Sequence, residues 1–123
     1  MRVLVVDDSK LMRAVIARIL KGLGFEVLEA ADGRRALAQL ERAGRVELCL
    51  VDWNMPVMNG IEFIETVRAR HAWDAMKLMM ITVASDPQQV RRALDAGADE
   101  FLVKPVNREM VVAKLALIGI GGD

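Results

Sequence analysis

Apolar positions along this chain follow two alternating rhythms. Short unbroken runs occur at Val3 to Val6, Leu48 to Val51, Leu78 to Ile81 and Phe101 to Val103, and a weaker alternating run spans Phe25 to Ala30. Runs of that length, bounded by polar residues and turn formers, predict strands covered on both faces. Between them the apolar residues recur at three- and four-residue steps. Leu11, Val15, Ile16, Ile19, Leu20 and Leu23 predict a first helix that ends at Gly22 or Gly24. Ala36, Leu37 and Leu40 mark a second helix over Arg34 to Ala43, with Gly44 after it, and Ile61, Ile64 and Val67 mark a third. Asp86-Pro87 sets an N-cap before a proline at the first position of a fourth helix, closed by Gly97. Asn107 caps a fifth, which stops at Gly119.

Five strands alternating with five helices predict an α/β domain. Right-handed crossovers between parallel strands put helices on both faces of an open, doubly wound sheet. No internal repeat, linker or low-complexity stretch interrupts the chain, which reads as one domain over residues 1–123. A hydrophobic content of 54%, with 9 glycines and 3 prolines, is that of a globular protein. The 17 basic residues balance the 17 acidic ones, which argues against direct contact with nucleic acid or an anionic membrane surface. Cys49 stands alone, so no internal disulfide forms, and it suits a small core residue in a reducing compartment. No apolar run approaches the ~20 residues of a membrane span. The start, MRVLVVDDSK, lacks the apolar length and cleavage site of a signal peptide. A soluble, cytoplasmic protein without membrane insertion is expected.

In an open α/β sheet, ligands bind outside the carboxyl ends of the strands, where the winding reverses. The first strand ends at Asp7-Asp8, the third at Asp52, the fourth at Thr82 and the fifth at Lys104-Pro105. The second ends in Glu29-Ala30 and contributes less. Any one of these residues is ordinary alone: an Asp after a strand commonly caps or turns, and Asp7-Asp8 before Ser9 suits a helix N-terminus. Their combination is not ordinary. Three carboxylates brought together repel, and Lys104 supplies only one compensating charge. A hard divalent cation such as Mg²⁺ suits the remainder, since it takes oxygen ligands and keeps several waters. A carboxylate beside that metal can act as a nucleophile toward phosphorus, with metal, lysine and hydroxyl stabilising the charge-rich phosphoryl group.

The set VVDDS, DWNMPVMNG, MITVAS and FLVKPV resembles the receiver domain of two-component response regulators, especially the single-domain chemotaxis type. The resemblance runs over essentially the whole chain. It implies a flavodoxin-like (βα)5 fold with a five-stranded parallel sheet in the order 2-1-3-4-5. It implies that Asp52 is the phosphoacceptor. Asp8 and Asp52 would bind Mg²⁺ through their side chains, Asn54 through its backbone carbonyl, and Asp7 through a bound water. Thr82 would hydrogen-bond one phosphoryl oxygen and Lys104 would pair with another. Lys104-Pro105 would be a cis peptide, and Thr82 with Phe101 would form the switch. The donor would be a sensor histidine kinase or a phosphotransfer protein. The chain would then be a signalling module that catalyses only its own phosphoryl transfer and dephosphorylation.

Two positions depart from the family's usual pattern. Val83 follows the switch threonine where a very small residue is common, and its bulk could narrow access to the phosphoryl group. Phe101 stands where chemotaxis-type members often have Tyr, which weakens a flagellar-motor role. A metal-dependent phosphohydrolase commonly has a second carboxylate two positions after the nucleophile, but here that residue is Asn54. A flavodoxin-like electron carrier needs a Ser/Thr/Gly-rich phosphate loop, and VVDDSK offers acids instead. His71 reads as a solvated residue, Met79 and Met80 as core, and Trp53 as a fluorescent neighbour of the site. Between 108 and 118, 8 of 11 residues are apolar, so part of the fifth helix should stay exposed as a docking or homodimer face for an unknown target. Nothing after that helix reads as an output domain. The receiver is expected to act alone through a partner or to be an excised piece of a larger regulator.

Overall fold

A computed structural model describes residues 1–83 and 87–120. Its elements are β1 (Arg2–Val6), α1 (Lys10–Gly22), β2 (Glu26–Ala30), α2 (Gly33–Ala43), β3 (Leu48–Asp52) and α3 (Gly60–Arg68). A short 3-10 turn (His71–Trp73) follows, then β4 (Lys77–Thr82), α4 (Pro87–Ala96), β5 (Glu100–Val103) and α5 (Arg108–Leu117). The expected alternation is present, and among the described residues the 3-10 turn is the one addition to it. All strand pairs are parallel, and the sheet order is β2-β1-β3-β4-β5.

Strand side chains alternate between two cores because consecutive residues point to opposite faces. Leu4, Val6, Cys49, Val51, Leu78 and Met80 face Ala36 and Leu40 of α2, Phe63, Ile64 and Val67 of α3 and Ala93 of α4. Val3, Val5, Leu48, Leu50, Met79 and Ile81 face Ile16 and Leu20 of α1 and Val111 and Leu115 of α5. A strand buried on both sides has no polar positions to alternate, which is why the sequence shows unbroken apolar runs. Cys49 lies wholly inside one core, where burial pushes its thiol far up from its ordinary range.

Helix ends are set by local chemistry. Ser9 Oγ accepts from the Met12 N–H at 3.2 Å and caps α1, so the cap is Ser9 and not the aspartates before it. Gly22 is the last residue of α1, and Gly24 takes the positive φ of 95° that turns the chain toward β2. Asp32 caps α2, which begins at Gly33, one residue before the expected start, and Asn107 caps α5 as the sequence predicts. Asp86, the expected cap of α4, lies outside the described residues. Winding runs from β1 out to β2, back across to β3 and onward, so direction reverses between β1 and β3. Chain pairing continues past the strands at that end. Asp7 N–H donates to Ala30 O, Trp53 N–H to Ile81 O and Lys104 N–H to Thr82 O, at 3.2, 2.8 and 2.7 Å.

Phe63 tests this core. It is fully buried on α3 against the sheet. Phe63→Ala should lower unfolding free energy by about 3–5 kcal/mol in urea titration, and a loss below about 1 kcal/mol would contradict the packing described.

Candidate functional site

The reversal point gathers the residues expected there. Carboxylate oxygens of Asp7, Asp8 and Asp52 all lie within 4.8 Å of one another. Lys104 Nζ reaches in from the end of β5, 3.4 Å from Asp7 Oδ2 and 3.4 Å from Asp52 Oδ1. Asp7 is completely buried, Asp52 is 5% exposed and Thr82 3%, while Asp8 stands at the open rim. The Lys104-Pro105 bond is cis. Asp7 Oδ1 accepts from the Ser9 N–H at 2.9 Å, whereas Oδ2 is buried with no hydrogen bond among the described residues. That oxygen faces the Lys104 ammonium, and with two more carboxylates beside it the donor set fits a hard divalent cation.

Electrostatics follow from this crowding. Burial pushes the Asp52 carboxyl above the usual aspartate range, and the neighbouring Asp7 charge adds to the rise. The Lys104 ammonium and hydrogen bonds from Lys104 and the Asn54 backbone N–H oppose it without cancelling it. Asn54 thus supports the Asp52 carboxylate through its main chain while its side chain is exposed.

The loop from Asp52 to α3 is built for close approach. A Cβ on Gly60 would sit 2.6 Å from the Asp52 carbonyl oxygen, so only glycine lets α3 begin there. Gly60 N–H donates to Trp53 O at 3.1 Å. Asn59 and Glu62 form a reciprocal capping box, each side chain accepting from the other's backbone N–H at 2.9 and 3.1 Å. Between Pro56 O and Met58 N–H a 2.7 Å hydrogen bond spans a three-residue turn, with Val57 at its centre and φ at 72°. Positive φ on a β-branched residue is strained backbone.

Several residues join the site without having been foreseen. Arg13 Nη1 donates to the Asp7 carbonyl at 2.6 Å and pairs with Glu29 of β2, so the second strand does contribute. Thr82 Oγ1 donates to Gln89 Oε1 on α4 at 3.3 Å. Trp53 is half-buried with the Arg92 guanidinium 5.6 Å from its ring centroid. Lys114 of α5 lies 4.2 Å from the Phe101 ring centroid and 3.2 Å from Glu100 Oε1. Phe101 is half-buried and, with Pro87, Val90, Arg91, Leu94 and Asp95, borders an open groove of about 500 Å³. Val83 is 74% exposed, so its bulk is not buried against the carboxylates. His71 lies outside the cluster, solvated and paired with Asp74.

An open, doubly wound parallel sheet with an acidic cluster at its reversal point defines a flavodoxin-like α/β domain. The family follows from comparison: residues 3–116 match the response regulator receiver domain, and the chain belongs to that family. It is 38% identical to the chemotaxis protein CheY1 of Helicobacter pylori over 119 residues, 96% of either chain. Among solved structures it resembles chemotaxis protein CheY4 of Vibrio cholerae, with a TM-score of 0.87, 38% identity and coverage of 94% and 95%. It is also similar to a probable two-component system response regulator/GGDEF domain protein, with a TM-score of 0.88 and 33% identity. That likeness covers 94% of this chain and 48% of the other.

Two outcomes check this geometry. Relief of the strain at Val57 is worth about 1–3 kcal/mol, and glycine's extra unfolded-state entropy offsets part of it, so Val57→Gly should stabilise by about 1 kcal/mol in urea unfolding. A loss of stability would contradict the positive φ. The raised Asp52 carboxyl sets a pH dependence. Well below pH 4 it is protonated in both folded and unfolded chains. As pH rises, the unfolded chain ionises first, so stability falls until the folded carboxyl has also ionised. Asp52→Asn removes that penalty. In metal-free buffer its melting temperature should exceed wild type at pH 7 and converge with it below about pH 4. An equal or lower value at pH 7 would contradict the crowding described.

Proposed function

We propose that this chain is a phosphorylation-activated receiver that accepts a phosphoryl group on Asp52 from a sensor histidine kinase or phosphotransfer protein, with Mg²⁺ at its acidic mouth. One observation carries the reading: the buried Asp52 carboxylate stands at the carboxyl end of β3, beside two more carboxylates and 3.4 Å from Lys104 Nζ. Asp8 and Asp52 would hold the cation through their side chains, Asn54 through its carbonyl and Asp7 through a bound water. When bound, the cation offsets the negative charge of the carboxylates and of the arriving phosphoryl group. An Asp52 carboxylate oxygen attacks phosphorus in line with the donor nitrogen. The new P–O bond forms as the P–N bond breaks, and the electron pair leaves on the imidazole. Lys104 Nζ pairs with one phosphoryl oxygen and the Thr82 hydroxyl donates to another. Water later cleaves the acyl phosphate, releasing inorganic phosphate and restoring Asp52. The chain thus transforms no external substrate beyond its own donor, and such a donor implies a cytoplasmic location. No helix among the described residues is long and apolar enough to cross a membrane.

The signal leaves through α4, β5 and α5. Turning the Thr82 hydroxyl toward the phosphoryl group breaks its bond to Gln89, and Phe101 moves into the vacated space. A shift from mostly inactive to mostly active takes about 5.5 kcal/mol of differential interaction, within reach of a dianion held by a divalent cation and a lysine. Val112 and Leu117 of α5 are 45% and 70% exposed, and Leu94 of α4 is exposed beside the groove. These residues offer an apolar face to a protein target or a second copy. A second reading, a receiver within a larger regulator, is supported by the likeness to the GGDEF-domain regulator, about half of whose length this chain spans.

Acetyl phosphate with Mg²⁺ should add one phosphate to the wild type, seen by intact-mass spectrometry, and none to Asp52→Asn or in EDTA. Labelling that persists in the variant would sink the assignment. Val112→Glu and Leu117→Glu, on exposed positions, should leave stability within about 0.5 kcal/mol of wild type. Both should abolish any beryllofluoride-dependent association in sedimentation and any beryllofluoride-dependent partner capture. Unaltered association and capture would remove α5 from the output face.

A further inference from the structure

Besides its ion pair with Lys104, Asp7 makes three hydrogen bonds. Its N–H donates to Ala30 O at 3.2 Å, Ser9 N–H donates to its Oδ1 at 2.9 Å, and Arg13 Nη1 donates to its carbonyl at 2.6 Å. The third contact has no role in capping or in the sheet ladder. It comes from a guanidinium on the first turn of α1 whose side chain is only 15% exposed. Arg13 Nε is buried without a hydrogen bond and lies 3.4 Å from Glu29 Oε1, an ion pair that reaches across to β2. Glu29 is fixed in turn, since Gln39 of α2 donates its side-chain N–H to the Glu29 carbonyl.

A charge-assisted bond to a backbone carbonyl fixes the direction of the peptide that carries it. Here that peptide carries Asp7, whose Oδ2 has no hydrogen bond among the described residues and faces the mouth. Arg13 touches the carbonyl rather than the cation-binding oxygens, so its effect falls on aim. We propose that Arg13, steadied by Glu29, is a positioning residue that aims the Asp7 carboxylate into the cation-binding mouth. The proposal rests on the Mg²⁺-dependent phosphoacceptor reading above. Outer partners of metal-binding groups act in this way, and their loss lowers metal affinity about 10- to 100-fold.

The test is titration of the intact protein with MgCl₂, followed by Trp53 fluorescence and by the rate of acetyl phosphate labelling at each Mg²⁺ concentration. Arg13→Gln should raise the Mg²⁺ midpoint about tenfold, while saturating Mg²⁺ restores labelling to within about twofold of wild type. A midpoint within about twofold of wild type overturns the proposal. So does a labelling defect that saturating Mg²⁺ cannot restore in a variant with wild-type circular dichroism, because Arg13 would then act on the chemistry and not on cation binding. Glu29→Gln, at the exposed rim, carries the test should Arg13→Gln not fold. It should raise the midpoint about threefold, and an unchanged midpoint overturns the role given to the pair. Failure of the phosphoacceptor reading looks different, for the wild type itself would then show no labelling at any Mg²⁺ concentration.

Discussion

Three carboxylates and one ammonium share the mouth of the sheet, and their charge mismatch constrains everything around them. Lys104 bridges Asp7 and Asp52 at 3.4 Å to each, yet Asp52 still holds its proton more tightly than an ordinary aspartate. In a flexible loop such charges would move apart. Here the sheet forbids it, because Asp52 ends β3 while Asp7 and Lys104 follow directly on β1 and β5, and backbone hydrogen bonds pin the chain at each of these points. The fold spends core stability to hold a repulsive cluster together. A cation between the carboxylates would offset that repulsion.

The loop after Asp52 shows the same trade. Pro56, Val57 and Met58 form a turn with a strained residue at its centre, and the Asn59–Glu62 capping box locks the far end onto α3. Gly60 brings the first turn of that helix against the Asp52 carbonyl, closer than any side chain would allow. Each device limits how far Asp52 can retreat from its neighbours.

Much of this was legible in the sequence because burial on both faces writes itself as unbroken apolar runs. Val3 to Val6 and Leu48 to Val51 could hardly be read otherwise, and the polar residues that follow them mark the carboxyl ends of strands. The strand order came from resemblance, since periodicity carries no information on which strands are neighbours. The capping box has a readable signal, an Asn three residues before a Glu at the head of an apolar run. Val57 had none, for valine is among the last residues one would assign a positive φ. Arg13 and Glu29 meet across 16 residues of chain, and their contact depends on the packing of α1 over the sheet edge. Linear spacing does not encode a contact of that kind.

Between the mouth and the surface lie two contacts: Thr82 to Gln89 on α4, and Phe101 beneath Lys114 of α5. These contacts tie Thr82 and Phe101 to the two helices that carry the exposed apolar side chains. Whether the converging groups form a single phosphoryl-accepting site is tested most directly by a crystal structure grown with Mg²⁺ and beryllofluoride. The account predicts beryllium on an Asp52 carboxylate oxygen, with Lys104 and Thr82 on its fluorides. Magnesium should lie ~2.0–2.1 Å from oxygens of Asp8, Asp52 and the Asn54 carbonyl. Beryllofluoride bound elsewhere, or a mouth that takes up neither species at saturating concentration, would contradict it.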